Sequence, residues 1–135
     1  DLAVSTIYNE QWKTGQASSI QTGVEALAIP HKAGGAVFLL ADQPQLTTSV
    51  LRALVEKHAE GLYPVVAPMV IDRRANPVLF DQTTFPDLLT LEGDVGGRAI
   101  FHKHRVEYLP WHDDRLLLDV DTPEMYQRLI ADDTL

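Results

Sequence analysis

Gly34-Gly35-Ala36-Val37-Phe38-Leu39-Leu40-Ala41-Asp42-Gln43-Pro44 is the stretch on which the fold turns. Its centre, Ala36 to Ala41, is an unbroken apolar run between two glycines and Asp-Gln-Pro. A run without polar alternation fits a central parallel strand covered on both faces. Asp42 then falls just past the C-terminal end of that strand, at the rim where open α/β sheets place their ligands. A carboxylate there suits Mg2+, which prefers oxygen ligands and bridges to substrate phosphates through one or two such groups. It equally suits a cap on the following turn or helix.

The pattern on either side alternates. Upstream, Ser18 to Leu27 reads as a capped helix with Ile20, Val24 and Leu27 on its apolar side. Downstream, Thr47 and Thr48 cap a helix running to about Glu60, with Val50, Leu51, Leu54 and Val55 inward, and Gly61 stops it. Val65 to Ile71 is the next strand, expected to end or bulge near Pro68. Asp72 to Pro77 is a polar turn and Val78-Leu79-Phe80 a short strand. A short helix from about Pro86 to Leu91 follows, then a glycine-rich turn, Gly93 to Gly97, entering a helix to about Lys103. Val106 to Leu109 and Leu116 to Val120 read as strands, and Pro123 opens a final helix. Alternation of this kind predicts an α/β sheet covered on both faces, in a single domain over residues 1–135.

Composition narrows the partners. The formal net charge of −8, with only 11 Lys and Arg scattered along the chain, argues against nucleic acid, whose phosphates call for a basic surface. An acidic chain still binds a nucleotide when a divalent cation screens the phosphates. No apolar run approaches the roughly 18 residues that span a bilayer, so no membrane partner is expected. The absence of cysteine and of a signal-peptide pattern suits a cytoplasmic protein.

Four further groups carry candidate chemistry. Asp119 and Asp121, two apart, share a face if extended and can join Asp42 on one cation, although Asp121 or Thr122 before Pro123 also makes an ordinary helix start. Gly93-Asp94-Val95-Gly96-Gly97-Arg98 lets backbone approach a ligand and offers a guanidinium for a phosphate, or is a plain tight connection. Asn76-Pro77 presents an amide for a base or pterin edge, or only stabilises its own turn. Ser18 and Ser19 cap their helix or donate to a phosphate.

The order of these motifs is more specific than any one of them. Gly15-x-x-Ser18-Ser19-Ile20-x-x-Gly23, Leu40-Ala41-Asp42-Gln43-Pro44, Asn76-Pro77-Val78-Leu79-Phe80, Leu91-x-Gly93-Asp94-x-Gly96-x-Arg98 and Asp119-x-Asp121-Thr122-Pro123 resemble, in this sequence, the molybdenum cofactor cytidylyltransferases within the MobA-like nucleotidyltransferases. The resemblance implies a Rossmann-like three-layer α/β/α fold. It implies transfer of CMP or GMP from CTP or GTP to a molybdopterin-type phosphate acceptor, with release of pyrophosphate. It places Mg2+ on Asp42 and Asp121, and Ser18, Ser19, Gln43, Pro44, Asn76, Pro77, Asp94, Gly96 and Arg98 around the substrates. A molybdoenzyme or its maturation factor is a further implied partner.

The sequence departs from the family where members carry Leu-Ala-Ala-Gly-x-Ser-x-Arg-x-Gly and then Lys, the groups that hold the triphosphate. Nothing here matches them, and the chain opens on Asp1 rather than Met. The expectation is therefore an N-terminally truncated domain, inactive alone, with an open sheet edge that favours self-association. A non-catalytic carrier of the pterin cofactor and a sugar-nucleotide transferase are the competing readings.

Overall fold

A computed structural model describes residues 3–43, 45–118 and 122–133. Among them, five strands form one sheet: β1 (Gly35–Phe38), β2 (Val65–Val70), β3 (Arg73–Arg74), β4 (Val78–Asp81) and β5 (Val106–Pro110). The helices are α1 (Gln16–Ala28), α2 (Thr48–Gly61), α3 (Phe85–Leu88) and α4 (Pro123–Asp133), and Gly97–Lys103 is a 3-10 helix.

The strands run β1-β4-β2-β5, with β3 continuing the β4 side of β2. β1 is antiparallel to β4, β4 antiparallel to β2, and β2 parallel to β5. β1, β2 and β5 therefore share one direction, as the βαβ reading requires, and β4 is inserted between β1 and β2 against it. The hairpin after β2 explains the insertion, because the chain reverses at Ile71-Asp72 and returns alongside the strand it has just left. Pro68 lies inside β2, between the residues paired with β4 (Val65, Val66) and those paired with β3 (Met69, Val70). Its missing N–H sits where that edge changes partners, so the strand continues without the expected break.

Side-chain alternation covers both faces. On one, Ala36, Val65, Ala67, Val78 and Phe80 pack against Ile20 and Val24 of α1, Phe85 and Leu88 of α3, and Ile100 and Phe101. On the other, Val66 and Leu79 pack against Leu54 of α2. The intervening residues of β2 and β4 thus go to opposite layers, giving α/β/α.

Three expectations give way. The apolar run Ala36 to Ala41 is not a fully buried central strand. β1 stops at Phe38, it pairs with β4 alone among the described residues, and Leu39 is 55% exposed. The strand expected at Leu116 to Val120 instead begins as a 3-10 turn, Asp114–Leu117, because Asp113 accepts from the Arg115 amide and winds the backbone. Val55, expected inward on α2, points to solvent.

Candidate active-site cleft

The three parallel strands end on one edge of the sheet, and a cleft of about 580 Å3 opens at the β1 side of it. Its walls are Gln16, Ser19 and Ile20 from α1, Phe38, Leu39 and Leu40 from the end of β1, Asn76, Val78 and Phe80 from β4 and its approach, and Gly96, Gly97 and Arg98 from the 3-10 helix. The size and the mostly apolar walls with a few polar groups are those of a small-molecule site. Gly97 is required by packing: a Cβ there would lie 2.6 Å from the edge of the Phe80 ring.

Four of the expected residues, Ser19, Asn76, Gly96 and Arg98, meet in this cleft. Ser18 does not. It is buried, takes a hydrogen bond from Asn9 Nδ2 at 2.8 Å, and lies within donating distance of the Gly15 and Gln11 carbonyls, at 2.9 and 3.1 Å. The two serines are neighbours on a helix and so face different ways. Asn9 also donates to Ser19 Oγ at 3.0 Å, a tie that no local pattern revealed.

Asp94 serves the fold. Its Oδ1 accepts from the Gln16 amide at 3.2 Å, and the Gly93 carbonyl accepts from the Ala17 amide at 3.1 Å. Gly15, the N-cap of α1, has no side chain to satisfy these first amides, so the glycine-rich loop does it from 78 residues away. The α1 N-terminus is consequently already capped by a carboxylate.

Asp42 stands two residues beyond Leu40 of the cleft wall. It does not cap α2, whose N-cap is Thr47. Among the described residues its Oδ1 is buried with no hydrogen-bond partner, and the same holds for Gln43 Oε1 and Gln45 Oε1. Gln43 is only 7% exposed, and its Nε2 faces the carbonyls of Leu116 at 3.0 Å and Asn76 at 3.4 Å. That fixes the amide's orientation, so the acceptor oxygen is the end left without a donor. One loop therefore carries three unsatisfied oxygens, the donor type a hard divalent cation prefers. Pro77 is buried behind Asn76. Pro44, Asp119 and Asp121 lie outside the described residues, and among the described residues no three His, Cys, Asp or Glu gather as a metal site.

Polar groups at the opposite end of the sheet do other work. His58 Nε2 lies 2.7 Å from Asp81 Oδ1, and the Thr83 amide donates to Oδ2 at 2.9 Å. Burial pushes the Asp81 carboxyl up, but the Thr83 amide and His58 together outweigh it and hold the group below its usual range.

A family model for the MobA-like NTP transferase domain matches residues 1–111. The purine catabolism protein PucB of Bacillus subtilis is 36% identical over 115 residues, covering 83% of this chain and 54% of that protein. The crystal structure of Rv0371c from Mycobacterium tuberculosis superposes with a TM-score of 0.71 at 32% identity, covering 86% of this chain and 60% of that one. The same mycobacterial protein has been crystallised in complex with manganese (TM-score 0.65, 30% identity, covering 82% of this chain and 59% of that one). Molybdopterin-guanine dinucleotide biosynthesis protein A from Archaeoglobus fulgidus shares the fold, with a TM-score of 0.70 at 16% identity, covering 94% of this chain and 68% of that one. The chain thus spans about half the length of the curated relative it matches. With the model matching most of its residues, this chain belongs to the MobA-like NTP transferase family.

Proposed function

We propose that the protein is a divalent-cation-dependent nucleotidyltransferase, moving CMP or GMP from CTP or GTP to the phosphate of a molybdopterin-type acceptor. One observation carries this reading: Asp42 holds a buried, unpartnered carboxylate oxygen in the loop that leaves β1 at the cleft. Family membership supports the reaction class. The manganese complex of a relative supports a divalent cation, and the name of the Archaeoglobus protein supports the pterin acceptor.

In this reaction an acceptor phosphate oxygen attacks the α-phosphorus, the new phosphoanhydride forms, the α–β bond breaks, and pyrophosphate leaves with the electron pair. An ionised phosphate is already a nucleophile, so no general base is required. The protein's share is placement and charge neutralisation. Asp42, together with Asp121, would hold Mg2+ or Mn2+, with the Gln43 carbonyl oxygen as a further donor of the right type. Such an ion, when bound, neutralises phosphate charge and stabilises the leaving pyrophosphate. Asn76 lines the cleft together with Arg98, the only cation lining it among the described residues, and the apolar floor of Phe38, Val78 and Phe80 suits a flat ring. Ser19 and Gly96 complete the acceptor wall. A protein of this kind acts in the cytoplasm. Among the described residues β1 pairs with β4 alone, and that open edge makes self-association part of the same reading, which a monomer in light scattering at high concentration would remove.

The test is transfer by the protein, from CTP and GTP in turn, to molybdopterin with Mg2+ or Mn2+, reading dinucleotide and pyrophosphate. Asp42→Asn should lower the rate about a hundredfold to a thousandfold, several kcal/mol of transition-state stabilisation. Absence of transfer by the wild type, with the pterin still bound, would make the protein a carrier instead.

A further inference from the structure

Arg74 and Arg98 come from different elements and meet at one turn of the 3-10 helix Gly97–Lys103. Arg98 Nη2 donates to the Arg74 carbonyl at 3.4 Å. The Arg74 guanidinium lies over the Phe101 ring, 5.7 Å from its centroid. Residues three apart in a 3-10 helix eclipse one another, so Arg98 and Phe101 share a side. The two cationic side chains are therefore held on the same side of the helix, Arg98 by the Arg74 carbonyl and Arg74 by stacking on Phe101.

Neither charge is neutralised among the described residues. The ion pairs there use Lys57, Lys103, Arg105 and Arg115 as cations, the His58 and His104 rings face Asp81 and Asp87, and no described carboxylate lies within 4.0 Å of Arg74 or Arg98. In a chain of net charge −8, which repels anions at long range, an unneutralised guanidinium lining the cleft with a second tied to it through the Arg74 carbonyl is a local reversal of sign. The Arg98 guanidinium has five N–H donors and spends one, leaving a fork free for oxygen. Stacking on an aromatic face orients the Arg74 plane while leaving its edges free to donate.

We infer that Arg74 and Arg98 form a two-guanidinium clamp for a phosphate monoester dianion at the mouth of the cleft. The inference deepens the proposed function, resting on it for which molecule carries the phosphate. The acceptor would then lie with its ring over Phe80 and its phosphate pinned between the β3 turn and the 3-10 helix. Arg74 thereby becomes a binding residue although it does not line the cleft itself.

Inorganic phosphate titrated into the 15N-labelled protein, read on the arginine Nε–Hε resonances, tests this without nucleotide or pterin. The Arg74 and Arg98 signals should move together along one saturation curve. Arg74→Gln and Arg98→Gln should each weaken binding about tenfold, the loss of one charge-assisted contact. Arg73→Gln removes the same charge from the adjacent β3 position, which faces the other way, and should change binding by less than about twofold. Equal weakening by Arg73→Gln, or an Arg74 signal that stays still, would overturn the clamp. A protein that binds phosphate in this way yet transfers no nucleotide would overturn the transferase reading and leave the clamp standing.

Discussion

Replacing Gly15 by Ala tests whether the cleft's two walls are locked where α1 crosses the glycine-rich loop. Gly15 has φ +119° and ψ −177°, a region open to glycine and costing any other residue about 1–3 kcal/mol. Its missing side chain also makes room for the loop. A Cβ would lie 2.5 Å from the Gly93 carbonyl carbon and oxygen and 2.6 Å from Asp94 Cα. These are backbone atoms, so no rotamer change relieves them, and the two segments must separate by about 0.9 Å to reach the 3.4 Å of ordinary contact. The amide contacts from Gln16 to Asp94 Oδ1 and from Ala17 to the Gly93 carbonyl start at 3.2 and 3.1 Å, so a shift of that size breaks both. Each is worth about 0.5–1.5 kcal/mol, which with the backbone strain gives roughly 2–6 kcal/mol.

Against a total stability of about 5–15 kcal/mol, such a loss moves a urea midpoint by about 2 M. Asp94→Ala in parallel removes only the side-chain cap and should cost about 1 kcal/mol. The expected order is wild type, Asp94→Ala, then Gly15→Ala at a much lower midpoint. A Gly15→Ala midpoint within about 0.5 M of wild type would show that the crossing is not rigid, and the account of the cleft walls would fall with it.

Two other outcomes follow from the same coordinates. Because the Asp81 carboxyl is held below 3.8, its stabilising contribution is present above that value and is lost as pH falls through the lower folded-state pKa. Urea midpoints from pH 7 down to about pH 3 should therefore drop on the acid side, and Asp81→Asn should start about 1–3 kcal/mol lower at pH 7 and decline less; parallel acid limbs would contradict this. Ile71 sits at the β2–β3 turn with φ +60° while 92% exposed, a β-branched residue in a left-handed conformation with no packing to hold it there. Ile71→Gly should stabilise by up to about 1 kcal/mol, a rise of a few degrees in Tm, whereas a fall would mean that the turn is not strained.

What the sequence made legible was local. Ile20 and Val24, or Val50 and Leu54, recur at helical spacing and do face the core. The buried β2 run and the order of elements could be read the same way. The insertion of β4 could not, because antiparallel return beside β2 depends on pairings such as Val65 with Phe80 that leave no trace in either segment alone. Asn76, Arg98, Gly96 and Ser19 were legible as cleft residues through motif order. Gln16 was not, since a helix-start glutamine carries no signal until Gly96 is packed against it, where a Cβ would meet its Oε1 at 3.1 Å. The resemblance set Ser18 and Asp94 around the substrates, and in the structure both make hydrogen bonds at the start of α1. Arg74 carried no signal at all, because its significance depends on Phe101 and Arg98 being folded against it.

The state of Asp42 bears on the choice between an enzyme and a structural carboxylate. A buried acceptor without a donor is costly, and folds normally satisfy such atoms. The means to do so is close in sequence: α2 begins at Thr48, its N-cap Thr47 makes no side-chain hydrogen bond, and a carboxylate is a favoured group at that helix end. Yet Asp42 is not used there. Among the described residues the fold leaves a helix start without its side-chain cap and a carboxylate oxygen without a donor, five residues apart, with Gln43 Oε1 and Gln45 Oε1 unsatisfied in the same loop. A loop whose only purpose was to connect β1 to α2 would gain stability by joining them. Holding the acceptors apart from the donors is what a site for an external cation requires. It predicts that Mg2+ or Mn2+ raises the thermal midpoint of the wild type and leaves that of Asp42→Asn unmoved.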